Sequence, residues 1–245
     1  MMAQATDVNL AKLSRQLAGR LMLDLARSGK ARGRGVGKLV TARADRAHGD
    51  IDLDSSIEAI VHARAERRPP ALDELSALAW QRPDTALCLL VDRSGSMNGE
   101  RLAGAALAAA LCAWKAPEQF AVLVFSNQVL AVKSLTQHKA PEQVVADVLS
   151  LKGHGTTDVA LALQAAHQQL ATSRASRRLT ILLSDAEATT GDNPIPAARL
   201  LDELAVIAPA DETAHATKLV AATGARFATV DGPLSVLPAL RQIVE

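Results

Sequence analysis

Three short segments of this 245-residue chain gather hydroxyl and carboxylate side chains in patterns that could hold a metal ion. The first, VDRSGSMNGE (residues 91 to 100), sets Asp92, Ser94 and Ser96 at alternate positions. The second, KGHGTTDVALAL (152 to 163), offers Thr157 beside Thr156, and the third, LLSDAEATTGDNP (182 to 194), offers Asp185. A D-x-S-x-S spacing in a tight turn aims alternate side chains at one point, and Gly95 lets such a turn close without a side-chain clash. All the donors are oxygens. That suits a hard cation such as Mg²⁺, which takes six oxygens at about 2.1 Å and keeps several waters. No Cys or His stands among them to favour zinc. Mg²⁺ is the expected ion, with Mn²⁺ and Ca²⁺ as alternatives. A blander use exists for the first segment, since Asp92, Ser94 and Ser96 could merely cap a helix starting near residue 100. Thr157 and Asp185, in turns of the same kind, weigh toward the metal.

The elements that must position these turns are legible from residue 84 onward. TALCLLV (85 to 91), QFAVLVFS (119 to 126), RLTILLS (178 to 184), LAVIAPA (204 to 210) and RFATV (226 to 230) read as short strands, the most apolar of them buried on both faces. Helical patterns lie over 100 to 115, 141 to 150, 157 to 171, 213 to 222 and 233 to 244. QVLAVKSL (128 to 135) follows its neighbour through a turn around Asn127, so it is expected as an antiparallel edge strand. Strands separated by helices imply right-handed crossovers and a mostly parallel sheet covered on both faces. The fold expected is therefore α/β: a doubly wound six-stranded sheet, mostly parallel, with one antiparallel edge strand. In such a sheet ligands bind at the carboxyl ends of strands where the winding reverses, and the first and third turns leave such ends.

At these residues the chain resembles the von Willebrand factor A (VWA) family. D-R-S-G-S-M at 92 to 97 is similar to the family's D-x-S-x-S motif, G-T-T-D-V-A-L-A-L at 155 to 163 to its threonine turn, and L-L-S-D-A at 182 to 186 to its aspartate turn. A late A-A-T-G turn at 221 to 224 is also like the family's. The resemblance implies a metal-dependent adhesion site. Ser94 and Ser96 would ligate the cation directly, Asp92 and Asp185 would act through water and through hydrogen bonds to the serines, and Thr157 would bind directly or through water. Thr157 rather than Thr156 falls in family register. An open position would accept a partner's Asp or Glu. One departure stands out: the family usually has Gly after the last aspartate, where this chain has Ala186, so an altered backbone is expected there.

Residues 1 to 83 are expected as a helical and basic extension, and 84 to 245 as the VWA domain. Leu10, Leu13, Leu17, Leu21, Met22 and Leu25 recur at helical spacing over 8 to 28. The Gly-, Lys- and Arg-rich stretch over 28 to 50 reads as a flexible or partly extended connector. GDIDLDSSIEAIVHARAE (49 to 66) turns helical after Asp54 or Ser55, with Glu58 completing a capping box. Arg68-Pro69-Pro70 ends that helix, and 71 to 83 read as a linker. The basic stretch followed by G-D-I-D-L-D-S-S-I-E-A-I resembles CoxE-type and magnesium-chelatase D-type members. That resemblance implies work with a MoxR-class AAA+ ATPase in metallocentre assembly or protein remodelling.

Bulk composition excludes several other classes. The net charge of +1 gives no global field for nucleic acid or membrane. Aromatic residues are 2% with no Tyr, too few for base-stacking platforms. GRGVGKL lacks the spacing of a phosphate loop. The N-terminal residues lack the apolar core of a signal peptide, and no apolar run reaches the roughly 18 residues of a membrane span, so a cytoplasmic protein is expected. Cys88 and Cys112 sit in apolar stretches and read as buried thiols. Trp80 and Trp114 read as packing residues, and His154, Glu187 and Asp192 as surface groups near the site. No general base is placed by the motifs, so an enzyme is not expected. A Mg²⁺-dependent hydrolase, and a nucleic-acid protein using residues 28 to 50, are the alternatives.

Overall fold

The computed structural model describes residues 38–45, 50–81, 85–93, 99–151 and 155–244. The expected helix over 8 to 28 lies outside them, as do Ser94, Ser96 and His154. The described residues fall into two compact units, one within 31–83 and one within 84–245.

The smaller unit is not simply helical. Strands β1 (Lys38–Arg43), β2 (Asp50–Ile51) and β3 (Ser76–Gln81) form an antiparallel sheet in the order β1-β3-β2, with helix α1 (Leu53–Ala65) between β2 and β3. One expectation is thereby corrected and another sharpened. SALAWQ belongs to a strand rather than a linker, and KLVTAR, within the stretch expected as flexible or partly extended, is a strand paired with it from Lys38↔Gln81 to Arg43↔Ser76. KLVTAR is only half apolar, and SALAWQ holds no β-branched residue. Pairing with a partner some forty residues away supplies the order that local composition does not show. The cap of α1 also differs. Asp52, not Asp54 or Ser55, is the N-cap, accepting from the Ser55 amide at 3.2 Å and its hydroxyl at 2.7 Å. Buried Ser56 takes the Ser76 amide at 2.9 Å and so ties α1 to β3. Beyond the helix, Arg68 grips Glu74 through two bonds of 2.7 Å, which hold the Glu74 carboxyl down at about 2.

The larger unit carries the expected sheet. Its strands are β4 (Thr85–Asp92), β5 (Phe120–Phe125), β6 (Val129–Lys133), β7 (Arg177–Leu183), β8 (Glu203–Pro209) and β9 (Arg226–Val230), in the order β6-β5-β4-β7-β8-β9. All pairs are parallel except β5 with β6. The helices are α2 (Gly99–Lys115), α3 (Pro141–Leu149), α4 (Val159–Ala171), α5 (Pro194–Ala198), α6 (Ala214–Thr223) and α7 (Val236–Val244). The short α5 was not anticipated; Pro194 and Pro196 disguise it, although Asn193 caps it.

Strand periodicity assigns the helices to faces. Leu87, Leu89 and Val91 of β4 pack with α2, α3 and α7, while Ala86, Cys88 and Leu90 pack with α4, α5 and α6. Alanines from 103 to 113 let α2 lie close on the sheet, all of them buried. The winding reverses at β4: β5 and β6 lie on one side, β7 to β9 on the other. Two turns of the candidate site therefore leave neighbouring strands at the switch point.

At the opposite end of the sheet, α7 is clamped. Arg177 makes a bidentate pair with Glu203 at 2.9 and 3.0 Å and donates to the Val244 carbonyl at 2.8 Å. Arg226 pairs with the same Glu203 at 3.1 Å and donates to the Ile243 carbonyl. Two cations at the carbonyl end of a helix complement its dipole. Glu203→Ala releases both guanidiniums. The expected cost is about 1 kcal/mol, small because the groups are partly exposed. Amide exchange should quicken in α7 and spare α4. Unchanged exchange in α7 would show that the clamp does not hold the helix.

Both cysteines are buried free thiols, and burial pushes Cys112 up to about 12 and Cys88 higher still, so neither is a nucleophile. Trp114 is 37% exposed, so its ring is only partly covered. Lys133 lies buried on β6, its ammonium bonded to the Phe120 carbonyl at 2.6 Å and held 4.2 Å from the Phe120 ring centre. Burial lowers its pKa. No helix among the described residues is long and apolar enough to cross a membrane.

Candidate metal centre

Asp92 ends β4, and Ser184 and Asp185 follow the last residue of β7. Since Val91 faces Leu183 across the two strands, Asp92 and Ser184 emerge side by side. The Ser184 hydroxyl donates to Asp92 Oδ2 at 2.7 Å and accepts from the Ala186 amide at 3.0 Å. Its oxygen is also 3.5 Å from Asp185 Oδ1. One hydroxyl, bonded to Asp92 and close to Asp185, thus stands between two aspartates that the sequence places 93 positions apart. Asp185 is steadied in turn by the Glu187 amide, which donates to Oδ1 at 2.9 Å. Asp92 is only 6% exposed. A carboxylate so buried must have its lone pairs satisfied or a cation at hand.

Ala186 sits at φ 60 and is buried. An alanine here takes up the left-handed conformation that glycine adopts more readily. The expected alteration of the backbone after Asp185 is therefore not a loss of the turn. The Ser184 hydroxyl fixes the strained residue through its amide.

Thr157 is 3% exposed, whereas Thr156 is exposed. Its turn is fastened from two sides. The Thr157 amide donates to the Thr189 hydroxyl at 2.8 Å, and the Thr157 carbonyl accepts from the amides of Thr189 and Thr190 at 3.0 and 3.2 Å. Those threonines belong to the turn that begins at Asp185. On the other side, the Asp158 amide donates to the Ser126 carbonyl at the end of β5, at 2.9 Å. Asp158 then caps α4 by accepting from the Leu161 amide at 2.9 Å. The turns bearing Asp185 and Thr157 are thus sewn together along the carboxyl edge of the sheet.

Of the five expected ligands, Asp92 and Asp185 lie on either side of the Ser184 hydroxyl, which bonds Asp92, and Thr157 lies on a turn bonded to the one after Asp185. Ser94 and Ser96 lie outside the described residues. No three His, Cys, Asp or Glu side chains converge among the described residues. The donors present are a carboxylate-and-hydroxyl set of low charge, which fits a hard cation that keeps waters and an electrophilic open position. Glu187 and Asp192 are exposed, as expected.

Three positioning groups escaped the sequence reading: Ser184, Thr189 and Ser126. Ser184 had the clearest signal, a hydroxyl directly before the aspartate at a strand end. Ser184→Ala leaves the Asp92 carboxylate and the Ala186 amide each short of a partner. The expected loss is about 1–3 kcal/mol by chemical denaturation, with Ser184→Thr retaining most of it. Equal stability of Ser184→Ala and the parent would mean that this hydroxyl does not organise the site.

A model of the family of VWA domain containing CoxE-like proteins matches residues 23–230. No match was found among curated proteins. Solved structures share the fold at low identity. An aerotolerance-related membrane protein from Bacteroides fragilis aligns with a TM-score of 0.53 at 14% identity, over 65% of this chain and 98% of that one. A von Willebrand factor type A protein from Catenulispora acidiphila aligns with a TM-score of 0.52 at 16% identity, over 68% and 43%. Proximal thread matrix protein 1 from the mussel byssus, described with a zinc occupied MIDAS motif, gives 0.56 at 16% identity, over 66% and 47%. The chain spans less than half the length of the last two. With the family model covering most of its residues, the chain belongs to the VWA domain containing CoxE-like proteins.

Proposed function

We propose that this protein is a metal-dependent interaction module that captures a carboxylate of a partner protein. Asp92, Ser94, Ser96, Thr157 and Asp185 would hold the cation, Mg²⁺ first and Mn²⁺ or Ca²⁺ next. The observation that carries the reading is the Ser184 hydroxyl between Asp92 and Asp185, which presents two carboxylates at the switch point of the sheet. The cation supplies a positive centre with an open position for an Asp or Glu side chain. Because the expected direct ligands are mainly hydroxyls, that centre stays electrophilic. The zinc described at this motif in the mussel relative supports a divalent ion on this fold. The family supports a binding role rather than an enzymatic one. A MoxR-class AAA+ ATPase or its client is the partner we favour, in the cytoplasm.

The test is affinity capture in Mg²⁺ and in EDTA, with the parent and an Asp92→Ala, Ser94→Ala double variant. The expected result is a partner, foremost an AAA+ ATPase, held only by the parent and only in Mg²⁺. Equal retention in all four conditions would contradict the proposal and turn attention to the basic stretch over 28 to 50.

A further inference from the structure

A cleft of about 420 Å³ opens beside the metal site, between the carboxyl ends of β4 and β7 to β9 and the helices α2 and α7. Asp92, Ser184 and Asp185 form one end of it. Its floor is apolar: Ala105, Ile207 and Val236 are buried core residues. The rim carries Glu100, Asp211 and Asp231, all exposed, and none of the three is in an ion pair among the described residues. Among the described residues Arg101 is the one cationic side chain lining the cleft, and it is engaged by Glu212 at 2.8 Å.

Two features narrow what this cleft takes. The rim carboxylates stand apart, and no three acidic side chains converge on a point among the described residues, which disfavours a second metal ion. A spread of negative charge above an apolar floor suits a long cationic side chain instead. The methylene stem of Arg or Lys covers the floor while its charged head reaches the rim. The guanidinium adds planar donors for carboxylates, so Arg is the better fit. Helix packing keeps the floor intact. A side chain at Gly104 would meet Val236 Cγ2 at 3.0 Å, so glycine lets α2 and α7 meet there.

We infer that this cleft binds an Arg or Lys of the same partner segment whose carboxylate is captured at the neighbouring metal site. The partner's signal is then an acidic residue with a basic one close by in sequence. The inference rests on the proposed function for the acidic half and on the cleft alone for the basic half.

Asp211→Asn with Asp231→Asn removes two rim charges at exposed positions outside the metal site. The first probe is N-acetyl-arginine amide, which has a guanidinium and no carboxylate, followed by amide NMR against the norleucine analogue. The arginine probe should shift the Gly104 and Gly232 resonances saturably, bind at least about tenfold more weakly to the double variant, and weaken with salt. Equal binding to parent and variant, or shifts confined elsewhere, would overturn the inference.

The second probe is a set of synthetic peptides bearing one Glu, with Arg or Ala placed one to four residues away, titrated in Mg²⁺ and in EDTA. In Mg²⁺ at least one Arg peptide should bind about tenfold tighter than its Ala counterpart, and the double variant should abolish that gain. Binding of Arg and Ala peptides alike, in Mg²⁺ only, overturns the cleft and leaves the metal reading standing. Binding indifferent to Mg²⁺ overturns the metal reading, and with it the shared segment.

Discussion

Asp92→Asn should cut the response of this protein to Mg²⁺ by about half or more while leaving the metal-free fold at least as stable as the parent. The asparagine oxygen can still accept from the Ser184 hydroxyl, so the 2.7 Å bond survives. What disappears is one of two carboxylates that flank a single hydroxyl. Without a cation that pairing is repulsive, and neutralising one member relieves it. With a cation the same charge is needed. Loss of an outer carboxylate at a metal site commonly lowers affinity by about 10–100-fold. An ion present at about a hundred times its dissociation constant stabilises the parent by about 2.7 kcal/mol, and a variant binding about 10–100-fold more weakly should forgo about 1.3–2.3 kcal/mol of that. Thermal unfolding of both proteins in Mg²⁺ and in EDTA reads the two effects with opposite sign. The same Mg²⁺-induced rise in both would remove Asp92 from the site.

Gly191→Ala should unfold the site from behind. Gly191 sits at φ 85, and a β-carbon there would lie 2.3 Å from the Asp158 carboxyl group. The left-handed backbone alone costs an alanine about 1–2 kcal/mol. Asp158 must also swing aside and give up the Leu161 amide, at about 1 kcal/mol for a lost N-cap. The sum is about 2–3 kcal/mol in denaturant unfolding. The displaced residue adjoins Thr157, so Mg²⁺ affinity should fall too. Adding Asp158→Ala removes the clash and separates the causes: the double variant should lose less than the two single losses combined. Strict additivity would show that the two side chains do not collide.

The larger unit was legible because its signals are local. An apolar run such as TALCLLVD has few uses other than a strand buried on both faces, and Gly224, at φ 71, closes α6 where the A-A-T-G turn led one to expect a stop. The edge strand β6 declared itself by the short turn at Asn127. What stayed hidden depends on distant partners. KLVTAR and SALAWQ are strands only because they pair with each other. The N-cap of α1 moved to Asp52 because D-L-D-S-S offers several candidates and only the entry of the chain from β2 chooses among them. In the site, residue types named Asp92, Asp185 and Thr157. Spacing could not show that Ser184 bonds Asp92, or that Thr189 grips the Thr157 turn, because those bonds run between turns. The acidic cleft was invisible for the same reason: Glu100 comes from the first turn of α2, and Asp211 and Asp231 from the loops after β8 and β9.

A crystal grown in MnCl₂, with anomalous difference density collected at the manganese edge, tests the central claim most directly. The account predicts one strong peak at the carboxyl ends of β4 and β7, coordinated only by oxygen, with Ser94, Ser96 and Thr157 around it and Asp92 and Asp185 behind. A map with no peak there, while the Ser184 hydroxyl still bonds Asp92, would contradict it.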